Sequence, residues 1–154
     1  MILDSGDRRQ FDTGAVRDMA AGKGRCDLMP LRVVAWMLAE NLNHESVMTA
    51  IGHFTDTGET LYLYHALDFF SEIAFDGSLE TMLLETSKHF EDGAQKYGEN
   101  NWQKGLPVNC YIDSAIRHYL KYRRGDKDEP HDRAFVWNLM CCIWEVDHHN
   151  GDER

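Results

Sequence analysis

The stretch Ser78–Gly98, "SLETMLLETSKHFEDGAQKYG", decides the fold class. Leu79, Leu83, Ser87, Phe90, Ala94 and Tyr97 recur at spacings of 4, 4, 3, 4 and 3. That rhythm puts them on one face of a helix and gives no strand a consistent side. Ser78 is suited to cap the start, and Gly98 to end the last turn. Gly93 falls inside the helix, where glycine costs about 1 kcal/mol relative to alanine. It is tolerated best where a backbone or a ligand has to come close.

The same period continues outward. Upstream, "TLYLYHALDFFSEIAF" at 60–75 reads as a helix, broken by "DGS" at 76–78 and preceded by the turn "TDTGE" at 55–59. A short helix is expected over Ser46–Phe54. Pro30 can open the first helix, along which Leu31, Val34, Leu38 and Leu42 repeat. Downstream, the loop "GENNWQKGLP" leads to a helix over Val108–Tyr122 with Ile112, Ala115, Ile116, Tyr119 and Leu120 inward. The polar loop "RRGDKDEP" precedes a last helix from Pro130 to about Asp147, with Asp128 or Glu129 as its cap. No strand alternation is apparent. The expectation is an all-α fold, a bundle of four to five helices forming a single domain over 1–154. The arm over 1–28 is Gly-rich and polar, and reads either as an ordered functional segment or as a loose terminus. The tail over 148–154 reads as frayed.

Composition excludes several function classes. The formal net charge is −10, which disfavours nucleic acid as a partner because backbone binding needs a basic surface. No apolar run approaches the roughly 20 residues that span a bilayer, and the N-terminus has no signal-peptide pattern. Cys26, Cys110, Cys141 and Cys142 form no C-x-x-C pair and read as reduced thiols. A cytoplasmic protein without a membrane partner is expected.

The chemistry gathers between Asp113 and Asn138. Asp128, His131, Phe135 and Asn138 are spaced 3, 4 and 3 on one face of the last helix. Asn138 sits in an otherwise apolar run and must find partners, either as a core asparagine or as part of a site. Asp113 and Arg117 are one turn apart, as in an exposed ion pair worth a few tenths of a kcal/mol, and His118 follows. Glu91 and Lys96 lie near the end of the Ser78–Gly98 helix. Three helices would bring Glu91, Asp113, Asp128, Glu129 and His131 near the ends of two polar loops. Hard oxygen ligands in that number suit Mg2+ or Mn2+. Lys96, Lys104 and Arg117 could neutralise a phosphate beside them. That combination is what hydrolysis of a nucleotide phosphoanhydride requires.

Five blocks, "DSGDRRQFDTGAVRD", "GKGRCDLMP", "GAQKYGENNWQKG", "DSAIRHYL" and "GDKDEPHDRAFVWN", carry a resemblance. Together they are similar to the phage and bacterial family named for the dATP/dGTP diphosphohydrolase N-terminal domain, which resembles the MazG-like all-α pyrophosphohydrolases. The resemblance implies Mg2+-dependent (or Mn2+-dependent) cleavage of a purine dNTP to dNMP and pyrophosphate, by a homo-oligomer, a dimer or larger. It implies that Lys96, Tyr97, Asn101, Trp102 and Lys104 contact the nucleotide. Asp113, Arg117 and His118 belong to a second block, and Asp128, Glu129, His131 and Asn138 to a third. Lys23 and Arg25 would reach phosphate or base. On this expectation Glu91, Asp113, Asp128 and Glu129 hold metal or activate water, and His131 and Asn138 orient that shell. The MazG-like hallmark E-E-x-x-E is absent, with Glu91 alone near its place. Residues 40–85 form a helical insertion relative to simpler members. Two rival readings stand beside this one: an HD-type triphosphohydrolase suggested by His131–Asp132, and a module that binds a nucleotide without cleaving it.

Overall fold

The structure is a computed structural model and describes residues 8–18, 22–38 and 42–149; the side chains of 42–45 lie outside that description. Six α-helices stand among the described residues: α1 (Leu31–Met37), α2 (Leu42–Thr57), α3 (Leu61–Ile73), α4 (Leu79–Tyr97), α5 (Val108–Arg124) and α6 (His131–His149). The fold is predominantly all-α, as the hydrophobic period requires. No helix of the described residues is long and apolar enough to cross a membrane.

The helix ends follow from local chemistry. Ser78 Oγ accepts the Thr81 amide hydrogen at 3.1 Å, capping α4. Gly98, at φ 90°, ends it, and its amide donates to the Ala94 carbonyl. Pro107 precedes α5 in an extended conformation. Gly125 closes α5 in the left-handed region and donates to the Lys121 and Tyr122 carbonyls. Lys121, Arg123 and Arg124 in the last turn complement the helix dipole. Pro130 precedes α6, and its carbonyl accepts from the Ala134 amide at 3.1 Å.

The chain divides into two compact units, and the division falls within α4. One unit comprises 28–84, which takes in most of the expected 40–85 insertion. There α2 packs chiefly against α3, around Met48, Ile51, Phe54, Leu63, Ala66 and Phe70, all buried. The other unit comprises 1–27 and 85–154. Its core is the α5–α6 pair, where Tyr111, Ile112, Ile116 and Tyr119 meet Phe135, Leu139 and Cys142. The Tyr119 and Phe135 rings are 5.3 Å apart.

The described part of the N-terminal arm holds a small antiparallel hairpin that the sequence did not announce. β1 (Arg8–Gln10) pairs with β2 (Val16–Asp18), Arg9 opposite Arg17. Three-residue strands are too short to display a two-residue period. Gly14, at φ 88°, makes the turn, and its amide donates to the Phe11 carbonyl. The Asn101 side chain then acts as a further rung. Its Nδ2 donates to the Val16 carbonyl at 2.9 Å, and its Oδ1 accepts the Val16 amide hydrogen at 3.0 Å. Residues 1–7 and 19–21 of the arm and 150–154 of the tail lie outside the described residues, while His148 and His149 continue α6.

Candidate functional site

A cavity of about 520 Å3 lies wholly within the unit built from the arm and 85–154. α4 gives it His89, Phe90, Gly93, Ala94 and Tyr97, and the loop after α4 gives Asn101 and Trp102. α5 gives Asp113, Arg117, His118 and Lys121; α6 gives Trp137 and Asn138; β1 and β2 add Arg9 and Arg17. Gly93 leaves room here, because a Cβ built on it would meet no protein atom within 4 Å.

Arg17 is the residue that the sequence reading missed. Arg17 is half-buried, with its Nη1 enclosed and its Cζ 5.5 and 5.9 Å from the ring centroids of Tyr111 and Trp137. Nη2 donates to Asn138 Oδ1 at 2.8 Å, and Asn138 Nδ2 donates to the Ala134 carbonyl at 2.8 Å. Burial draws the Arg17 pKa down; Tyr111 and Cys110 raise it and the like charge of Arg9 lowers it. Among the described residues no carboxylate pairs with Arg17, and its Nη1 is buried without a hydrogen-bond partner. No periodicity marks a lone arginine in a three-residue strand, so only the fold exposes its place.

Asp113 and Arg117 form a tie. Arg117 Nη2 donates to both Asp113 oxygens, at 2.7 and 2.8 Å, and the side chains are only 7% and 12% exposed, not the exposed pair that spacing alone suggested. Asp113 Oδ1 also accepts the Cys26 amide hydrogen at 2.6 Å. Arg117 donates further to the Lys23 and Gly24 carbonyls. The pair thus fastens residues 23–26 to α5. Lys23 lines the cavity and pairs with Asp18 at 3.0 Å.

His118 and His131 face each other, Nδ1 to Nδ1, at 2.9 Å. His131 Nε2 meets Asp128 Oδ1 at 2.7 Å. With Nε2–H donating to Asp128, His131 Nδ1 keeps a lone pair directed at His118. Candidate ligand atoms of His118, Glu129 and His131 lie within 4.8 Å of one another, as do those of Asp126, Asp128 and His131. Burial above all pushes the His118 pKa well down, which keeps the imidazole neutral. Burial raises the Glu129 carboxyl, and the bond from His131 lowers that of Asp128.

The remaining expected residues are placed differently. Glu91 is exposed and is not among the cavity-lining residues. Lys96, Lys104 and Arg25 also lie off the lining; Lys96 sits over the Tyr97 ring, and Arg25 is held by Asp27 at 2.8 Å. Asp128 is half-exposed and His131 buried, and both touch the cavity only through the His118–Glu129 cluster. Trp102 lines the wall with its ring 5.7 Å from Phe90 and 5.1 Å from Trp144. His89 and Trp137 are further residues that the sequence did not single out. His89 Nδ1 and Trp137 Nε1 are buried without hydrogen-bond partners.

A site of this kind, with cations, a histidine–carboxylate cluster and aromatic walls, is equipped to hold a compact polyanion bearing a flat apolar group. A family model, dATP/dGTP diphosphohydrolase, N-terminal, matches residues 71–154. No match was found among curated proteins or among solved structures.

Proposed function

The chain belongs to the dATP/dGTP diphosphohydrolase N-terminal family, and on that premise we propose that the cavity binds a purine deoxynucleoside triphosphate and hydrolyses it to the monophosphate and pyrophosphate. The family name is that of a nucleotide-hydrolysing domain. The observation that supports the finer reading is the meeting in one cavity of Arg17, a half-buried cation without a carboxylate, and the His118–Glu129–His131 cluster. A volume of about 520 Å3 suits a small-molecule ligand.

The donor set fits a divalent ion. Two imidazole nitrogens and a carboxylate oxygen suit Mn2+ better than Mg2+, which prefers oxygen throughout. His118, His131 and Glu129 would hold it, and Asp128 fixes the His131 tautomer from outside. Once bound, such an ion polarises a phosphoryl oxygen and lowers the pKa of its water. The other work falls to the chain. Arg9, Arg17 and Lys121 offer positive charge to the polyphosphate and to the pyrophosphate that leaves. Phe90, Tyr97 and Trp102 offer aromatic surface to the base. Asp113 acts through Arg117 and Cys26, holding the arm in place rather than reaching the ion.

Binding without hydrolysis is supported by one observation. With Glu91 exposed and Asp113 engaged by Arg117, Glu129 is the cavity carboxylate left beside the histidines. The HD-type reading finds Asp132 off the cavity lining, its carboxylate accepting the Arg133 amide hydrogen at 2.8 Å.

The test is to incubate the protein with each dNTP and NTP plus Mg2+ or Mn2+, and to separate the products by ion exchange. Release of dNMP with pyrophosphate supports the proposal. Nucleoside with triphosphate supports the HD-type chemistry, and metal-dependent binding without turnover supports the binding module.

A further inference from the structure

Four buried side-chain atoms of the described residues lack a hydrogen-bond partner, and three of them belong to residues that line the cavity: Arg17 Nη1, Trp137 Nε1 and His89 Nδ1. The three side chains adjoin. The His89 and Trp137 rings are 5.4 Å apart, and Arg17 Cζ lies 5.9 Å from the Trp137 ring. A buried unsatisfied polar atom is costly, and two of these three, on Arg17 and Trp137, can only donate.

The chemistry of these atoms selects the occupant. Arginine and tryptophan nitrogens only donate, so their complement is an acceptor. Arg17 also brings a full charge to a half-buried place, with its Nη1 enclosed. The largest charge contributions acting on it come from Tyr111, Cys110, Arg9 and Cys141, none of them a carboxylate. A neutral acceptor, such as a base carbonyl or water, would satisfy the hydrogen bonds and leave that charge uncompensated. An oxyanion satisfies both. Asn138, by taking Nη2, leaves Nη1 available to it.

We infer that Arg17, Trp137 and His89 form a phosphoryl-oxygen recess that grips one end of the polyphosphate, apart from the His118–Glu129–His131 cluster. The assignment rests on the proposed nucleotide chemistry for its natural ligand. Asn138 is seven residues beyond His131 on α6, roughly 10 Å along the helix axis. The recess and the cluster would therefore engage different phosphoryl groups of one chain. Arg17 lies outside the residues matched by the family model.

The probes are inorganic pyrophosphate and, separately, deoxyguanosine, both in EDTA so that neither metal nor turnover is needed. The readouts are calorimetric affinity and the indole N–H resonance of Trp137, identified by its loss in W137F. Pyrophosphate should bind and move that resonance. R17Q should weaken binding at least tenfold, and W137F, which keeps the ring and loses the donor, several-fold. R17Q removes a charge but also the donor to Asn138 Oδ1, so a denaturation curve accompanies its titration and W137F, which keeps that bond, is read beside it. A resonance unmoved by pyrophosphate, or R17Q binding as tightly as the parent, would overturn the inference. So would movement by deoxyguanosine alone, which would make the recess a reader of the base edge. A protein that binds pyrophosphate here yet hydrolyses no nucleotide would overturn the proposed reaction and leave the recess standing.

Discussion

Arg17 Nη2 and Asn138 Oδ1 are 2.8 Å apart, and this bond joins the N-terminal hairpin to the buried middle of α6. It links residues 121 positions apart in the chain. It holds a charged group in place without neutralising it, because an amide oxygen accepts a hydrogen bond and carries no charge.

Asn138→Asp should separate stability from binding. The carboxylate would give Arg17 the counter-charge it lacks, through a charge-assisted bond worth about 1.5–3 kcal/mol. The Ala134 carbonyl loses its Nδ2 donor at the same time, so stability to urea should change by less than that. Nucleotide and pyrophosphate affinity should fall at least tenfold. A variant that loses both stability and affinity would contradict this account of Arg17.

Asp113→Ala should act through the arm. It would leave Arg117 without its partner and free the Cys26 amide. Breaking a buried pair in this way costs about 3–5 kcal/mol. Proteolysis within the arm should accelerate well before α5 and α6 are cut. Metal affinity should change far less than in His118→Ala or Glu129→Gln. Calorimetric titration with Mn2+ on all three variants makes the comparison.

Asp128→Asn should weaken Mn2+ binding by about 10–100-fold, as loss of a carboxylate that orients a ligating histidine does. The fold should be unaffected, because Asp128 is half-exposed. Unchanged Mn2+ affinity would remove His131 from the proposed ion site.

Acid should destabilise the metal-free protein through His89. Burial, then the charges of Arg133 and Arg17, push its pKa down to about 3. An unfolded histidine titrates near 6.5. Between pH 6.5 and 3 the unfolded chain therefore binds a proton that the folded one refuses. Stability contributed by neutral His89 is complete above pH 6.5 and is lost as pH falls. The slope is about 1.4 kcal/mol per pH unit for this one proton. His118 shifts in the same direction. Denaturation curves at pH 7, 6 and 5 in EDTA should show a shallower loss for His89→Gln than for the parent.

Gly93→Ala should stabilise the ligand-free protein by up to about 1 kcal/mol, since the new methyl meets no protein atom and alanine favours helix. Gly93→Leu should fill part of the cavity and lower nucleotide affinity. Equal affinity in parent and Gly93→Leu would mean that the ligand sits elsewhere.

The helices were legible because each is local. The 3–4 spacing from Leu79 to Tyr97, the Ser78 cap, and Pro107, Gly125 and Pro130 at the ends of α5 and α6 act within a few residues, so the sequence alone determined the all-α class, though four to five helices were expected where six stand among the described residues. The gathering of acids and histidines around Asp128–His131 was legible for the same reason. Tertiary structure decided which of those groups meet. It turned Glu91 outward, spent Asp113 on Arg117, and set His118 against His131. Above all it brought Arg17 from a three-residue strand to the side of Trp137, His89 and Asn138. Strand pairing and burial act between residues distant along the chain, and no pattern within a short window encodes them.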